Sequence, residues 1–330
     1  MDILKNEPAD IEVGVVGIGL MGSSIIVSLL SSGHRVKAIA PIPADYRGAR
    51  ERIEVQLRIC FGAGLMEDNV IACLKRLEIS QDYECLKNCS LILECVIEDI
   101  NIKSEVYDKI TSVVSEDSII ASNTSAIAIT TLQHLVSRPE RFIGIHWAEP
   151  AFATRFMEIT CGDLTDIRYA DWVFRLAHQW GKEPTLLRKD IRGFITNRLM
   201  YAVYREIFHL VEGGQTTIRD ADKAFRYDAG SWMTLMGLFR RIDYSGVEDY
   251  AVIFRNLFPR LSRSDDVPVI MQEMVANNAR GIQNLEGLYS YSEKEAKDWE
   301  AAFASFNEEI FHLAAKYPDP ILIKREILVE

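Results

Sequence analysis

The sequence predicts an α/β protein: an N-terminal doubly wound parallel sheet over residues 1–189, followed by an all-α domain over residues 190–330. Three observations carry that expectation. An apolar strand at residues 11–16 runs directly into a Gly-x-Gly-x-x-Gly turn, Gly17 to Gly22, and then into a helical pattern. Short apolar runs alternate with amphipathic stretches as far as Leu187, the rhythm of a parallel sheet covered on both faces. Beyond Asp190 every periodic stretch has the helical repeat. At 330 residues the chain also exceeds the size at which a single core stops growing, so two domains are expected.

Composition bounds the function. Hydrophobic residues make up 48% and charged residues 26%, and no apolar run approaches the roughly 18 residues of a membrane span. The start, residues 1–8, lacks the basic and apolar regions of a signal peptide, and the expected location is the cytoplasm. A net charge of −11 without a long basic cluster argues against a nucleic-acid backbone as partner. Six cysteines are spaced irregularly, which fits reduced thiols. Cys85 and Cys89 have no second ligand pair downstream, so no metal is predicted.

In chain order, residues 1–10 read as a loose arm. The glycine turn follows the first strand. Gly17 permits a tight turn, Gly19 lets a pyrophosphate approach the backbone, and Gly22 lets helix and strand pack closely. Leu20 and Met21 begin a helix over residues 20–31 whose free N–H groups suit phosphates. This is the fingerprint of a Rossmann-type dinucleotide-binding sheet. A second strand at residues 35–40 ends in Ala40-Pro41-Ile42-Pro43, where an NAD-binding fold usually places an acid for the ribose hydroxyls. Asp45 stands five residues later, with Arg47, Arg50 and Arg52 beyond it. NAD is the first choice of cofactor, and NADP stays open.

Helices are expected at 46–58 and 68–77, and strands at 77–80 and 90–96. Glu98 and Lys103 follow that last strand at the sheet edge that carries the ligand crevice in open α/β sheets. They are candidate cofactor contacts, or else a surface ion pair. A strand at 118–121 opens into Ser122-Asn123-Thr124-Ser125, where Asn123 is a further candidate cofactor contact and Ser125 either caps a helix or joins the reaction centre.

Two short apolar runs, 142–145 and 156–159, are followed by His146 and interrupted by Glu158. An irregular segment separates them, so the two polar residues can converge although they lie twelve positions apart. Next come a helix at 164–181 and a strand at 184–187. The helices of the second domain are expected at 194–212, 218–226, 233–241, 247–257, 267–278 and 294–316. The first is long enough to bury a face against a symmetry mate, which suggests a homodimer.

The order of these motifs resembles the L-3-hydroxyacyl-CoA dehydrogenases over nearly the whole chain: the glycine turn, Glu98 with Lys103, Ser122 to Ser125, Gly144-Ile145-His146, Met157-Glu158-Ile159, and Gly193-Phe194-Ile195-Thr196-Asn197-Arg198. The wider group includes the gulonate dehydrogenases, with lambda-crystallin, and the carnitine dehydrogenases. The resemblance implies an NAD-linked interconversion of a 3-hydroxyacyl substrate, first of all an acyl-CoA, and its 3-oxo form, and a place in fatty acid metabolism. It implies that His146 is the acid/base and Glu158 its orienting partner, that Ser125 and Asn197 hold the substrate oxygen, and that the cleft between domains holds the site. Oxidising an alcohol needs a base for the hydroxyl proton while hydride leaves the carbon, which a carboxylate-held imidazole supplies.

Two departures bear on substrate. Ala40 replaces the usual acid. Glu149 stands where acyl-CoA enzymes usually have Asn, so it is a substrate-contact candidate, as is Arg155, which either offsets Glu149, reads a substrate carboxylate or lies on the surface. A dehydrogenase of a free hydroxy acid, such as a sugar acid or a carnitine-like compound, and a non-catalytic nucleotide-binding homologue are the alternatives.

Overall fold

The computed structural model describes residues 11–317. They divide into two units, the first ending at Thr196 and the second starting at Asn197, slightly beyond the boundary expected at 189/190. The N-terminal arm and the tail from Asp319 lie outside the described residues.

The first unit is built on strands β1 (Glu12–Val16), β2 (Arg35–Ile39), β3 (Leu77–Ser80), β4 (Leu91–Glu94), β5 (Ile119–Ser122), β6 (Phe142–Trp147), β7 (Phe156–Cys161) and β8 (Glu183–Leu187). They form one sheet in the order β3-β2-β1-β4-β5-β6-β7-β8. The helices are α1 (Leu20–Ser31), α2 (Pro43–Tyr46), α3 (Ala49–Gly62), α4 (Val70–Lys75), α5 (Ile100–Thr111), α6 (Ile129–Gln133) and α7 (Ile167–Gln179). Successive strand residues point to opposite faces, and each face has its own core. Val13, Val15, Leu91 and Leu93 pack with Ile25, Leu29 and Trp172 of α1 and α7. Val16, Ile92 and Ile120 pack with Val106, Tyr107 and Leu132 of α5 and α6. This is the doubly wound layering expected from the strand-helix alternation.

The sheet is not parallel throughout. Strands β1 to β6 run parallel, but β7 pairs antiparallel with β6 and β8 runs with β7. The reason is local: residues 148–155 contain no crossover helix, so the chain can only turn back on itself. That return sets His146 directly opposite Glu158 in the register.

Several expected elements are shorter. The stretch read as one helix at 46–58 breaks at Gly48, whose φ of +70° is left-handed. The helix expected from residue 164 starts only after Asp166, whose carboxylate caps it by accepting from the Arg168 N–H. The helical region comprises α8 (Thr196–Glu212), α9 (Ile218–Ala224), α10 (Gly230–Met233), α11 (Leu238–Ser245), α12 (Val247–Leu257), α13 (Val269–Ala276) and α14 (Glu293–Ala315). A wider π turn, Phe225–Ala229, joins α9 to α10, and Gly237 separates α10 from α11, so two expected helices are three. Ala221 is the only buried hydrophobic residue of the second unit among the described residues.

Candidate active site

The glycine turn lies at the topological switch point, where β1 is flanked by β2 on one side and β4 on the other. Gly17 has φ +97°, and a Cβ there would meet the Cys95 carbonyl oxygen at 2.7 Å. A Cβ on Gly22 would lie 1.8 Å from the Gly17 carbonyl oxygen, so that close packing of helix and strand requires glycine. Around Gly19 there is no atom within 4 Å of where a Cβ would be, and neighbouring Leu20 is 64% exposed while Met21 is half-buried. α1 carries no side-chain cap and no acid in its first turn. The turn therefore presents open, uncapped backbone N–H groups in a glycine cradle, which fits a dinucleotide pyrophosphate.

Ala40 is buried and donates its N–H to the Ser80 carbonyl, so no acid ends β2. Arg52 ties the next segment to the cradle: its guanidinium donates to the carbonyls of Ile18, Arg47 and Asp45. Arg50 donates to the Leu74 carbonyl. Two of the three arginines thus hold backbone, and Asp45 sits half-buried on α2 beside them.

Beyond β4 the structure separates Glu98 from Lys103. Lys103 is 1% exposed and donates bidentately to Glu94, at 2.8 and 2.9 Å, with Glu98 Oε2 at 3.4 Å. A side chain so buried is not a surface ion pair. Glu98 Oε1 accepts the Thr124 hydroxyl and the N–H groups of Ser125, Ala126 and Ile127. Burial would raise its carboxyl, but the Thr124 hydroxyl and the Lys103 charge hold it below the usual carboxylate range. Asn123 is also engaged within the protein: its Oδ1 accepts the Trp147 N–H at 3.0 Å, joining the loop after β5 to β6.

Ser125, His146 and Glu158 form one chain. Ser125 Oγ lies 3.1 Å from His146 Nε2, and His146 Nδ1 lies 3.3 Å from Glu158 Oε2. The imidazole contacts Phe156 edge-on and Phe194 at a tilt. Glu158 has no exposed surface, and its other oxygen accepts the N–H groups of Ile195 and Thr196 at 2.9 and 3.1 Å. Burial alone would raise the Glu158 carboxyl. The His146 ring and the Thr196 and Ile195 N–H groups outweigh it and hold the carboxyl below its ordinary value. Glu158 thus faces Nδ1, and Nε2 faces the exposed Ser125.

Profiles of the 3-hydroxyacyl-CoA dehydrogenase NAD binding domain and of the 3-hydroxyacyl-CoA dehydrogenase C-terminal domain match residues 12–191 and 193–291. The chain belongs to the 3-hydroxyacyl-CoA dehydrogenase family. It is an NAD-dependent oxidoreductase of that type. It is 30% identical over 290 residues, 88% of this chain and 93% of the other, to a 5-formyl-3-hydroxy-2-methylpyridine 4-carboxylate 5-dehydrogenase of Mesorhizobium japonicum. It is 32% identical over 235 residues to an L-carnitine dehydrogenase of Oceanobacillus iheyensis, covering 71% of this chain and 76% of that one. A crystal structure of a 5-formyl-3-hydroxy-2-methylpyridine 4-carboxylic acid 5-dehydrogenase, described as an NAD+-dependent dismutase, superposes with a TM-score of 0.86 at 28% identity, covering 93% of this chain and 99% of the other.

Asn197 stands in the first turn of α8, where the second unit begins. Arg155 pairs with Glu183 at 3.7 Å at the start of β8. Glu149 belongs to the segment between β6 and β7, and burial pushes its carboxyl up. Glu94 and Lys182 are buried charged residues that belong to none of the sequence motifs. Glu94 anchors Lys103, and Lys182 donates to the carbonyls of Ala151 and Thr154 while its ammonium sits 5.4 Å from the Trp147 ring centre. The signal available for both was a charge next to or inside an apolar strand, which calls for a buried partner.

Proposed function

We propose that this family member oxidises a hydroxyl, or reduces the matching carbonyl, through His146 as acid/base, and that its substrate is a small free carboxylated compound. The Ser125–His146–Glu158 chain is the single observation that carries the chemistry. NAD, when bound at the glycine cradle, supplies the hydride acceptor. His146 Nε2 takes the hydroxyl proton in oxidation and returns it in reduction. Glu158 holds the ring and stabilises the imidazolium, a contribution of roughly 10²–10⁴-fold in rate. Ser125 Oγ donates to the substrate oxygen as it becomes a carbonyl.

Substrate class rests on three points. The relatives of the pyridine-carboxylate and carnitine type are named for free, small, charged compounds. Of the arginines that would serve a CoA nucleotide, Arg50 and Arg52 hold backbone carbonyls instead. Glu149 brings a carboxylate where acyl-CoA enzymes carry Asn. An acyl-CoA substrate is the second reading, favoured by the family match itself.

The protein works as a homodimer. Phe239 is 86% exposed, Tyr244 75% and Val275 71%, in a unit whose own helices enclose almost nothing. A second copy supplies matching amphipathic helices, so both helical units gain a core.

Turnover with NAD+ on free 3-hydroxy acids, carnitine, an aromatic aldehyde carboxylate and 3-hydroxybutyryl-CoA tests the substrate. The free compounds should react with the higher kcat/KM, and Glu149→Asn should shift the preference toward the thioester. Faster turnover of the thioester, unaffected by Glu149→Asn, would refute the free-acid reading while leaving the chemistry intact.

A further inference from the structure

Residues 190–196, which follow the last strand, close over the His146–Glu158 pair by a strained turn. Gly193 and Phe194 both have left-handed backbone, with φ of +84° and +52°. Glycine takes that conformation freely, whereas a bulky side chain adopts it only where the surroundings impose it. Both sides of the bend are pinned. Before it, Asp190 Oδ2 accepts the Thr130 N–H at 2.8 Å, and the Phe194 N–H donates back to the Ile191 carbonyl at 3.0 Å. After it, the Ile195 and Thr196 N–H groups both donate to Glu158 Oε1. A glycine at 194 would relieve the strain, but it would remove a ring that packs against the reacting imidazole. Phe194 is 2% exposed and shares a core with Ile129 and Leu132 of α6, and its ring centre lies 5.5 Å from that of His146, at an angle of 43°. Phe156 meets the same imidazole edge-on at 5.7 Å. All of these residues belong to the first unit.

We propose that Phe194 is a positioning residue for the His146–Glu158 pair, and that its left-handed backbone is kept because the pair needs both the turn and the ring. The turn aims two successive N–H groups at one oxygen of Glu158, which leaves the other, Oε2, to face His146 Nδ1 at 3.3 Å. The ring limits rotation of the imidazole about χ2, so that Nδ1 stays toward Glu158 and Nε2 toward Ser125 Oγ. A reacting group has to be held within a fraction of an ångström by neighbours whose own rotamers are locked by packing, and a phenyl ring buried in the core meets that need. This inference rests on the reading of His146 as the acid/base.

The test is a double-mutant cycle. Phe194→Gly keeps the left-handed turn without strain and removes the ring, while Phe194→Leu keeps apolar bulk beside the imidazole. Each is made alone and with His146→Ala, and kcat per NADH-binding site, KM, NADH affinity by fluorescence and thermal unfolding by circular dichroism are measured on the substrate turned over fastest in the panel above. Phe194→Gly should lower kcat by roughly tenfold or more, with KM and the NADH dissociation constant within about threefold of the parent, and Phe194→Leu should recover part of that loss. In the His146→Ala background either substitution should cost less than about twofold, because the ring it positions is gone. If Phe194→Gly does not fold, Phe194→Leu carries the same cycle, with an expected loss of about three- to fivefold against an intact His146. A kcat within about twofold of the parent in the variant that carries the cycle, or an equal loss in both backgrounds, would overturn the positioning role while leaving the acid/base reading intact. If His146→Ala alone leaves kcat unchanged, the acid/base reading falls, and the role of Phe194 with it.

Discussion

Glu158 is a carboxylate without exposed surface that keeps its charge because the His146 ring and two backbone N–H groups face it. Glu158→Gln preserves its size and one acceptor but removes the negative charge that faces the His146 ring. The expected outcome is a kcat lowered by about 10²-fold with NADH binding retained, measured by steady-state kinetics and fluorescence titration. The His146–Glu158 pair is legible in the sequence because each residue stands at an apolar strand and the surrounding motifs are specific. Glu94 and Lys182 are not, because a charge in a strand or beside one reads as a solvated edge until the tertiary fold shows what closes over it. Lys103 shows the same limit from the other side: its place in the motif is evident, and its burial is not.

Among the elements, the antiparallel return from β6 to β7 makes the pair, and Lys182 clasps the segment between those strands. Burial pushes the Lys182 ammonium down to about 7, with Arg155 adding to the effect. Its folded value lies below the ordinary lysine value, so between about 7 and that value the folded chain binds fewer protons than the unfolded one, and stability rises with pH. The urea midpoint of the parent should therefore gain on that of Lys182→Met between about pH 7 and 9; parallel midpoints would contradict the assignment. The carboxylates act in the opposite range. Glu98 and Glu158 are both held below their ordinary values, so the stability they contribute is present above the ordinary carboxylate range and is lost as pH falls through their folded values. Acid unfolding followed by circular dichroism should therefore begin at higher pH in the parent than its neutral-pH stability alone implies, and Glu98→Gln should flatten that dependence. Strand alternation and the glycine turn reveal the sheet's layering in the sequence, because period and turn chemistry are local. The direction of β7 is not legible there, since a connector's lack of a crossover helix shows in sequence only as irregularity.

For the whole molecule, the division into an α/β unit and a helical unit follows from the change in periodicity near Asp190. What the pattern does not reveal is that the helices after Asn197 bury almost none of their apolar residues within one chain. If a second copy completes them, dilution should dissociate and unfold the helical unit together, with an unfolding midpoint that rises with protein concentration. Sedimentation velocity paired with far-ultraviolet dichroism across a dilution series checks this, and a folded monomer at the lowest concentration would contradict it. The central claim concerns His146, and the most direct measurement is the turnover of His146→Ala at saturating NAD+ beside its NADH affinity in the same preparation. The account predicts a rate lower by roughly 10²–10⁴-fold with cofactor binding unchanged; a rate within about twofold of the parent would contradict it.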